Sequence, residues 1–330
     1  MQDDKLTSTL VEKAKTLLEE GKVQSVVGWR RGLFEDDVTP GTFTTAGDLE
    51  RNFVYDKFCG ANLSKYLVGI TRAIETKKST ARVNNTMARQ RDPNAAQQPI
   101  PTEVVAVFLK PCDTYSFCEL LKENRIARDD VYVIGIPCDG MINPEKGVIA
   151  ERCNVCKSKK HIVYDELIGE EGDVLESARY DAVARLEAMS DEQRFAFWRG
   201  ELSRCIRCNA CRNICPACTC EKCVFDNNAL YTSQKVAVTS FEENLFHIIR
   251  AWHVAGRCTD CGECSRVCPQ NIPLHLLNRK FCKDIDELYG PYVAGSDMDT
   301  KPPMLRFDAV KDAEPSVVYA RDEAAKGGAK

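Results

Sequence analysis

Residues 205–216 read CIRCNACRNICP, and residues 258–269 repeat the same spacing as CTDCGECSRVCP. In each run three cysteines stand three residues apart, and a fourth follows four residues later, directly before a proline. A tight loop at this spacing can direct three thiolates to one point, while the fourth cysteine points away from it. The two runs account for eight of the 18 cysteines in the 330-residue chain.

This is the spacing of the bacterial ferredoxin run, in which three cysteines hold one 4Fe–4S cluster and the fourth reaches the other cluster. The sequence therefore predicts two clusters that exchange their fourth ligands. We assign cluster 1 to Cys205, Cys208, Cys211 and Cys268, and cluster 2 to Cys258, Cys261, Cys264 and Cys215. Zinc is the alternative, although it prefers four ligands arranged as two Cys-x-x-Cys pairs.

The composition is that of a globular protein, with 44% hydrophobic and 28% charged residues. A net charge of −4 gives no indication of a nucleic-acid partner. The longest apolar stretches fall short of the roughly 18 residues that a spanning helix needs. No apolar signal core follows the first residues, so we expect a cytoplasmic protein. In a reducing compartment, clustered thiols bind metal more often than they form disulfides.

A strand–helix–strand pattern occupies the middle of the chain. Apolar runs over 104–109 and 131–136 flank a helical stretch over 114–124. This is the pattern of a βαβ unit, so we expect two adjacent parallel strands. Outside it, spacing predicts helices over 7–19, 62–74 and 241–255, two helices within 173–203, a strand over 23–29, and a loop over 84–101.

Cysteines follow both strands of this unit. Cys112 comes after the first strand and Cys138 after the second, and the carboxyl ends of parallel strands form the binding edge of such sheets. The pair Cys153-x-x-Cys156 lies in the following loop. Four thiols at one sheet edge suit a third 4Fe–4S cluster, with zinc as the alternative. We call this predicted set cluster 3.

Two family resemblances rest on these motifs. The insert between the two runs is predicted to be helical, and residues 251–264 (AWHVAGRCTDCGEC) are close to a motif of α-helical ferredoxin domains in heterodisulfide reductase and succinate dehydrogenase iron–sulfur subunits. Residues 100–170 resemble the deazaflavin-reducing hydrogenase/dehydrogenase β-subunit family, which includes formate dehydrogenase β-like subunits. The resemblance rests on PCD at 111–113, GIPC at 135–138, CNVC at 153–156 and YDELIG at 164–169.

The second resemblance implies that cluster 3 is a 4Fe–4S cluster held by Cys112, Cys138, Cys153 and Cys156. It also bears on FAD, because members that use a flavin and a deazaflavin carry an early Gly-Gly-rich segment. This chain has no Gly-Gly before residue 327, so FAD stays an open alternative. The expected fold is mixed α/β with a parallel βαβ core over 1–190, then an α-helical dicluster ferredoxin domain over 191–295 and a tail over 296–330.

Six cysteines remain. Cys218, Cys220 and Cys223 follow the first run directly, and three such thiols need a fourth partner to hold a cluster. Cys59 precedes a predicted helix, where amide donors favour a thiolate, so we predict cluster 4 from Cys59, Cys218, Cys220 and Cys223. A zinc or structural triad is the alternative. Cys118 and Cys282 are expected to be packing residues, as are His247 and His253.

These patterns favour an iron–sulfur electron-transfer subunit of an anaerobic oxidoreductase complex. The resemblances imply a partner at each end of the electron-transfer route. One is a flavoprotein, hydrogenase or formate dehydrogenase subunit, and the other is a heterodisulfide-reductase-like subunit. Whether the chain is itself an enzyme stays open. One alternative is an FAD-containing dehydrogenase acting on deazaflavin or NAD(P)H, and another is a zinc scaffold without redox function. No Ser-His-Asp, P-loop or Gly-x-Gly-x-x-Gly pattern points to hydrolysis or phosphoryl transfer.

Overall fold

The computed structural model describes residues 2–157, 159–173, 178–226 and 240–303. Its helices are Gln2–Glu19 (α1), Ala46–Asn52 (α2), Ser64–Arg91 (α3), Pro111–Lys122 (α4), Glu151–Asn154 (α5), Asp181–Glu187 (α6), Asp191–Ser203 (α7), Ala210–Asn213 (α8), Ser240–His253 (α9), Glu263–Arg266 (α10) and Leu274–Tyr289 (α11). Its strands are Ser25–Arg31 (β1), Val38–Phe43 (β2), Val105–Leu109 (β3), Val131–Gly135 (β4), Ile142–Asn143 (β5), Val148–Ile149 (β6) and Glu166–Leu167 (β7).

The main sheet has five strands in the order β2-β1-β3-β4-β7. Strand β3 pairs in parallel with both β1 and β4, β4 pairs in parallel with β7, and β1 pairs antiparallel with β2. All five residues of β3 are buried, as expected for a central strand covered on both faces. The predicted parallel βαβ unit is therefore confirmed as β3–α4–β4.

The amino-terminal helix packs its apolar stripe into the core of this sheet. Leu10, Ala14 and Leu17 are at most 2% exposed. The helix ends before Gly21, whose φ of +68° is a conformation that glycine adopts without strain. Helix α1 thus confirms the expected helix over 7–19, and the expected strand over 23–29 is present two residues later as β1.

Helix α3 is longer than its sequence predicts. A helix was expected over 62–74 and a loop over 84–101, but α3 continues to Arg91, so the loop prediction is wrong for its first part. The side chain of Asn85, 8% exposed, accepts from the Gln98 amide at 2.7 Å and donates to the Gln98 carbonyl at 2.8 Å. This contact fixes the following segment against the helix, and no local periodicity encodes it.

The helices around the two cysteine runs agree with the expected pattern. Helix α7 begins after Ser190, whose hydroxyl caps the Gln193 amide in a capping box. Helix α9 confirms the helix expected between the runs. Of the tail expected over 296–330, residues 304–330 lie outside the described residues. None of the described helices is long and apolar enough to cross a membrane.

Side-chain contacts join the sheet to the region of the cysteine runs. Arg152 donates to the Glu263 carboxylate at 2.5 Å and to the Cys261 carbonyl at 2.9 Å. The hydroxyls of Ser116 and Thr259 are 2.8 Å apart and buried. These contacts bring the carboxyl edge of the sheet against the second cysteine run.

Candidate iron–sulfur centres

A cavity lies at the carboxyl edge of the sheet, and we call it cavity 3. Its lining includes all four cysteines predicted for cluster 3: Cys112, Cys138, Cys153 and Cys156. The structure therefore brings together thiols that are up to 44 residues apart in the chain. The expected convergence at the ends of two parallel strands is present, because β3 and β4 are adjacent and each is followed by one of these cysteines.

The local structure explains how these thiols reach the cavity. Lys110, which follows β3, is the N-cap residue of α4, so Cys112 lies in the first turn of that helix. Cys153 lies in the short helix α5, and its sulfur accepts from the Met141 amide at 3.3 Å. An amide aimed at a sulfur stabilises a thiolate, which is the form that binds metal.

Five cationic side chains also line cavity 3: Lys110, Arg152, Lys157, Lys159 and Arg279. Burial lowers the pKa of Lys157, although the nearby thiols of Cys112 and Cys261 oppose this shift. Such a concentration of positive charge suits an anion. Four thiolates around a cluster would supply one.

A second cavity, cavity 1, is lined by the four cysteines predicted for cluster 1: Cys205, Cys208, Cys211 and Cys268. Leu202, Ile272 and Leu274 pack with three of these cysteines in a small apolar core. Cys208 is exposed, whereas Cys205 and Cys211 are buried. Cavity 1 therefore has an apolar, buried inner wall and one cysteine at the surface.

The two cysteine runs adopt the same backbone conformation. Arg207 and Asp260 stand two residues after the first cysteine of each run, with φ of 56° and 52°. Their amides donate to the sulfurs of Cys205 and Cys258, each at 3.4 Å. Asn209 and Gly262, two residues further on, are also left-handed, with φ of 61° and 71°.

Left-handed backbone at non-glycine residues is uncommon and clusters at ligand sites. Its repetition at matching positions explains how each loop curls around a point and directs amide hydrogens toward its own cysteine sulfur. This is the geometry that three thiolates around one cluster require. The donor set therefore fits the group that the spacing predicts.

A third cavity, cavity 2, is lined by Cys215, Cys258 and Cys261. They are three of the four cysteines predicted for cluster 2. The fourth, Cys264, is 6% exposed, accepts from the Asn278 side chain at 3.4 Å, and packs beside Cys205 and Cys211. Cys261 also lines cavity 3, so one residue separates the two cavities.

The cysteines predicted for cluster 4 are not brought together. The Cys59 sulfur is fully buried in the core of the sheet and makes its hydrogen bonds within its own turn, to the Asp56 amide and the Val54 carbonyl. Cys218 instead donates to the sulfur of Cys215, and this contact, with help from Arg250 and Lys65, lowers the pKa of Cys215 to about 6. The assignment of Cys59 stays a prediction without a structural contact.

The remaining two cysteines differ from one another. Cys118 is buried, and its thiol donates to the Asp297 carbonyl at 3.1 Å, in agreement with a packing role. Cys282 is closer to a site than expected, because its thiol donates to the Cys258 carbonyl at 3.5 Å and its sulfur accepts from the Cys258 thiol. Within the described ranges, no three Cys, His, Asp or Glu side chains converge tightly enough for a single metal ion.

Sequence reasoning missed the charged residues around the cavities. Arg250 is 2% exposed, and its guanidinium interacts electrostatically with four cysteines: Cys211, Cys264, Cys215 and Cys218. His247, one turn earlier in α9, lines cavity 1 and has no hydrogen-bond partner on either ring nitrogen among the described residues. The sequence does carry one indication of this role: Arg250 falls on the apolar face of the amphipathic helix α9, where a charged residue is unusual.

Comparison with known proteins agrees with this geometry. Residues 201–272 match the family described as a 4Fe-4S dicluster domain. The chain is also similar to a protein of Methanocaldococcus jannaschii named F420-dependent formate dehydrogenase subunit beta. The two are 23% identical over 295 residues, covering 62% of this chain and 76% of the relative.

Both comparisons agree with what the cysteine motifs imply. The described residues form a mixed α/β fold containing parallel strands, with the dicluster domain after it. The chain is thus an iron–sulfur protein that resembles the β subunits of formate dehydrogenase-type enzymes and carries a 4Fe-4S dicluster domain, which confirms the resemblance inferred from its sequence.

Proposed function

We propose that this chain is the electron-transfer subunit of a multisubunit oxidoreductase of the formate dehydrogenase type. The observation that carries the proposal is the chain of adjoining cavities: Cys261 lines both cavity 3 and cavity 2, and Cys264 packs beside Cys211 of cavity 1. Three cysteine-lined cavities in sequence suit single-electron transfer, which a 4Fe–4S cluster supplies when bound.

The chain's own residues would hold and tune these groups. The predicted ligands are those assigned to clusters 1, 2 and 3, and the amides of Arg207, Asp260 and Met141 donate to ligand sulfurs. Hydrogen bonds to sulfur, burial and nearby charge set the potentials of such clusters.

In this proposal cavity 2 holds the middle cluster of the electron-transfer route. Cavity 3 shares Cys261 with it, and Cys264 of the cluster 2 set packs beside Cys211 of cavity 1, where Cys208 is exposed. A partner that docks at Cys208 could exchange electrons with cavity 1. We infer a flavin-, hydrogenase- or formate dehydrogenase-type subunit at one end and a heterodisulfide-reductase-like subunit at the other.

Replacing the shared cysteine tests this order. Cys261→Ser is expected to remove about a third of the iron, since one of three 4Fe–4S clusters is lost. Electrons supplied to one end should then no longer reach the other, measured by stopped-flow absorbance under anaerobic conditions. Cys118→Ser, a buried thiol outside the cavities, is the matched control. Unchanged iron content and transfer rate in Cys261→Ser would overturn the proposal.

A second candidate is a flavin-containing subunit that reacts directly with a deazaflavin such as F420, or with NAD(P)H. The similarity to a relative named F420-dependent formate dehydrogenase subunit beta favours it. Acid-released flavin near one per chain in protein with a full complement of iron would support this function. Flavin at background in the same preparation would leave electron transfer between partner subunits as the function.

A further inference from the structure

Arg250 is buried and has no hydrogen-bond partner within the part of the chain that the structure describes. Its side chain is 2% exposed, and Nε, Nη1 and Nη2 all lack a hydrogen-bond partner among the described residues. The other deeply buried arginine, Arg279, behaves differently, because it contacts the carboxylates of Asp260 at 3.0 Å and Glu151 at 2.8 Å. Burying an unpaired charge is costly, so Arg250 needs an anion that the described residues do not provide.

The groups that face Arg250 identify where this anion would lie. The thiols that interact with its charge are Cys211 of cavity 1, Cys264 and Cys215 of the cluster 2 set, and Cys218. Neither His247 nor Arg207, which also lie near Arg250, can supply this negative charge. Burial and the charge of Arg250 both lower the pKa of His247, so its imidazole stays neutral. Arg250 is therefore close to cysteines of both predicted ligand sets, and His247, one turn earlier in α9, lines cavity 1.

We propose that Arg250 is the shared counter-cation of clusters 1 and 2, and that its positive charge raises the reduction potentials of both. The inference rests on the proposed function, since it requires that both clusters are held. Reduction of each cluster adds one electron, drawn from the donor subunit, and makes or breaks no bond.

The physical reason is that each cluster with four thiolates is a net anion and becomes more negative when it is reduced. A fixed positive charge in a low-dielectric site stabilises the reduced form more than the oxidised form. Because a single guanidinium faces both ligand sets, its removal should affect both clusters together. Cluster 3 should be unaffected, because the thiols that interact most with the charge of Arg250 are not among its predicted ligands.

The test is a redox titration of the anaerobically purified full chain, monitored by electron paramagnetic resonance. In Arg250→Gln, the ratio of reduced to oxidised cluster at fixed potential should fall at least tenfold for clusters 1 and 2, a shift of about 59 mV for one electron. Arg250→Lys keeps the charge and should retain most of the potential. Arg194→Gln, on a surface helix of the same region, is the control variant.

Unchanged potentials in Arg250→Gln at full iron content would overturn the inference, and a shift in one cluster alone would overturn the shared role. If Arg250→Gln assembles fewer clusters, iron retained by Arg250→Lys supports the role of charge, and equal loss in both variants overturns it. Iron missing from the unaltered chain would instead overturn the proposed function, so the two failures are distinguishable.

Discussion

Cavity 3 and the pair formed by cavities 1 and 2 are built in opposite ways. The cysteines of cavity 3 are separated by up to 44 residues and meet only because two parallel strands are adjacent. Those of each cysteine run are gathered by one loop, with left-handed residues at matching positions. The first site therefore depends on the whole sheet, and the second depends mainly on local chain geometry.

The charges differ as well. Around cavity 3, cations are paired with protein carboxylates, as in Arg152 with Glu263 and Lys110 with Asp113. Between cavities 1 and 2, Arg250 has no such partner among the described residues. Protein carboxylates thus offset part of the positive charge at the sheet edge, whereas no described residue is paired with Arg250.

The largest expected effect separates the two kinds of site. Cys153→Ser should remove about a third of the iron, again one of three clusters, and one paramagnetic signal, while the signals of clusters 1 and 2 remain. Cys211→Ser should instead remove the signal of cluster 1 and leave the cluster 3 signal. Iron analysis with electron paramagnetic resonance measures both. If Cys153→Ser leaves iron and spectra unchanged, cluster 3 does not exist.

An intermediate effect is expected at the junction between the two regions. Glu263 is fully buried and binds Arg152 at 2.5 Å and Arg266 at 2.7 Å. Although burial opposes ionisation, these arginines lower the pKa of Glu263 to about 2. Glu263→Gln should therefore lower the free energy of unfolding by about 3–5 kcal/mol, the cost of breaking a buried pair.

Urea denaturation of the iron-loaded protein, followed by circular dichroism, measures this loss. Glu221→Gln is the matched control, because Glu221 is exposed and lies 3.9 Å from Arg72, so little change is expected there. Equal stability of the Glu263 and Glu221 variants would mean that the Arg152–Glu263 contact does not hold the two regions together.

The smallest effect concerns the predicted cluster 4. The Cys59 sulfur makes its hydrogen bonds within its own turn, so Cys59→Ser should lose no more iron than Cys118→Ser. Both are buried thiols, which makes the two variants a matched pair. If Cys59→Ser alone loses about a quarter of the iron, the prediction of cluster 4 is supported. Cys59 would then contact the Cys218–Cys223 loop in solution.

Much of the site could be predicted because its information is local. The spacing of each cysteine run encodes a loop that gathers three thiols, and the alternation of strand and helix around 104–136 encodes parallel strands with Cys112 and Cys138 at one edge. Each feature depends on neighbours within a few turns of chain. The extension of α3 to Arg91 was missed, because the contact between Asn85 and Gln98 supports it and no periodicity marks that contact.

The sequence by itself determined that the chain carries two ferredoxin-type cysteine runs and a βαβ unit followed by cysteines, since residue spacing fixes both. Only the tertiary structure decided that Cys261 separates cavity 2 from cavity 3, that Cys59 lies in the core of the sheet, and that Arg250 is buried near cysteines of both runs. These facts depend on how distant segments pack. Such packing balances burial against charge over the whole fold, and no short stretch of sequence records it.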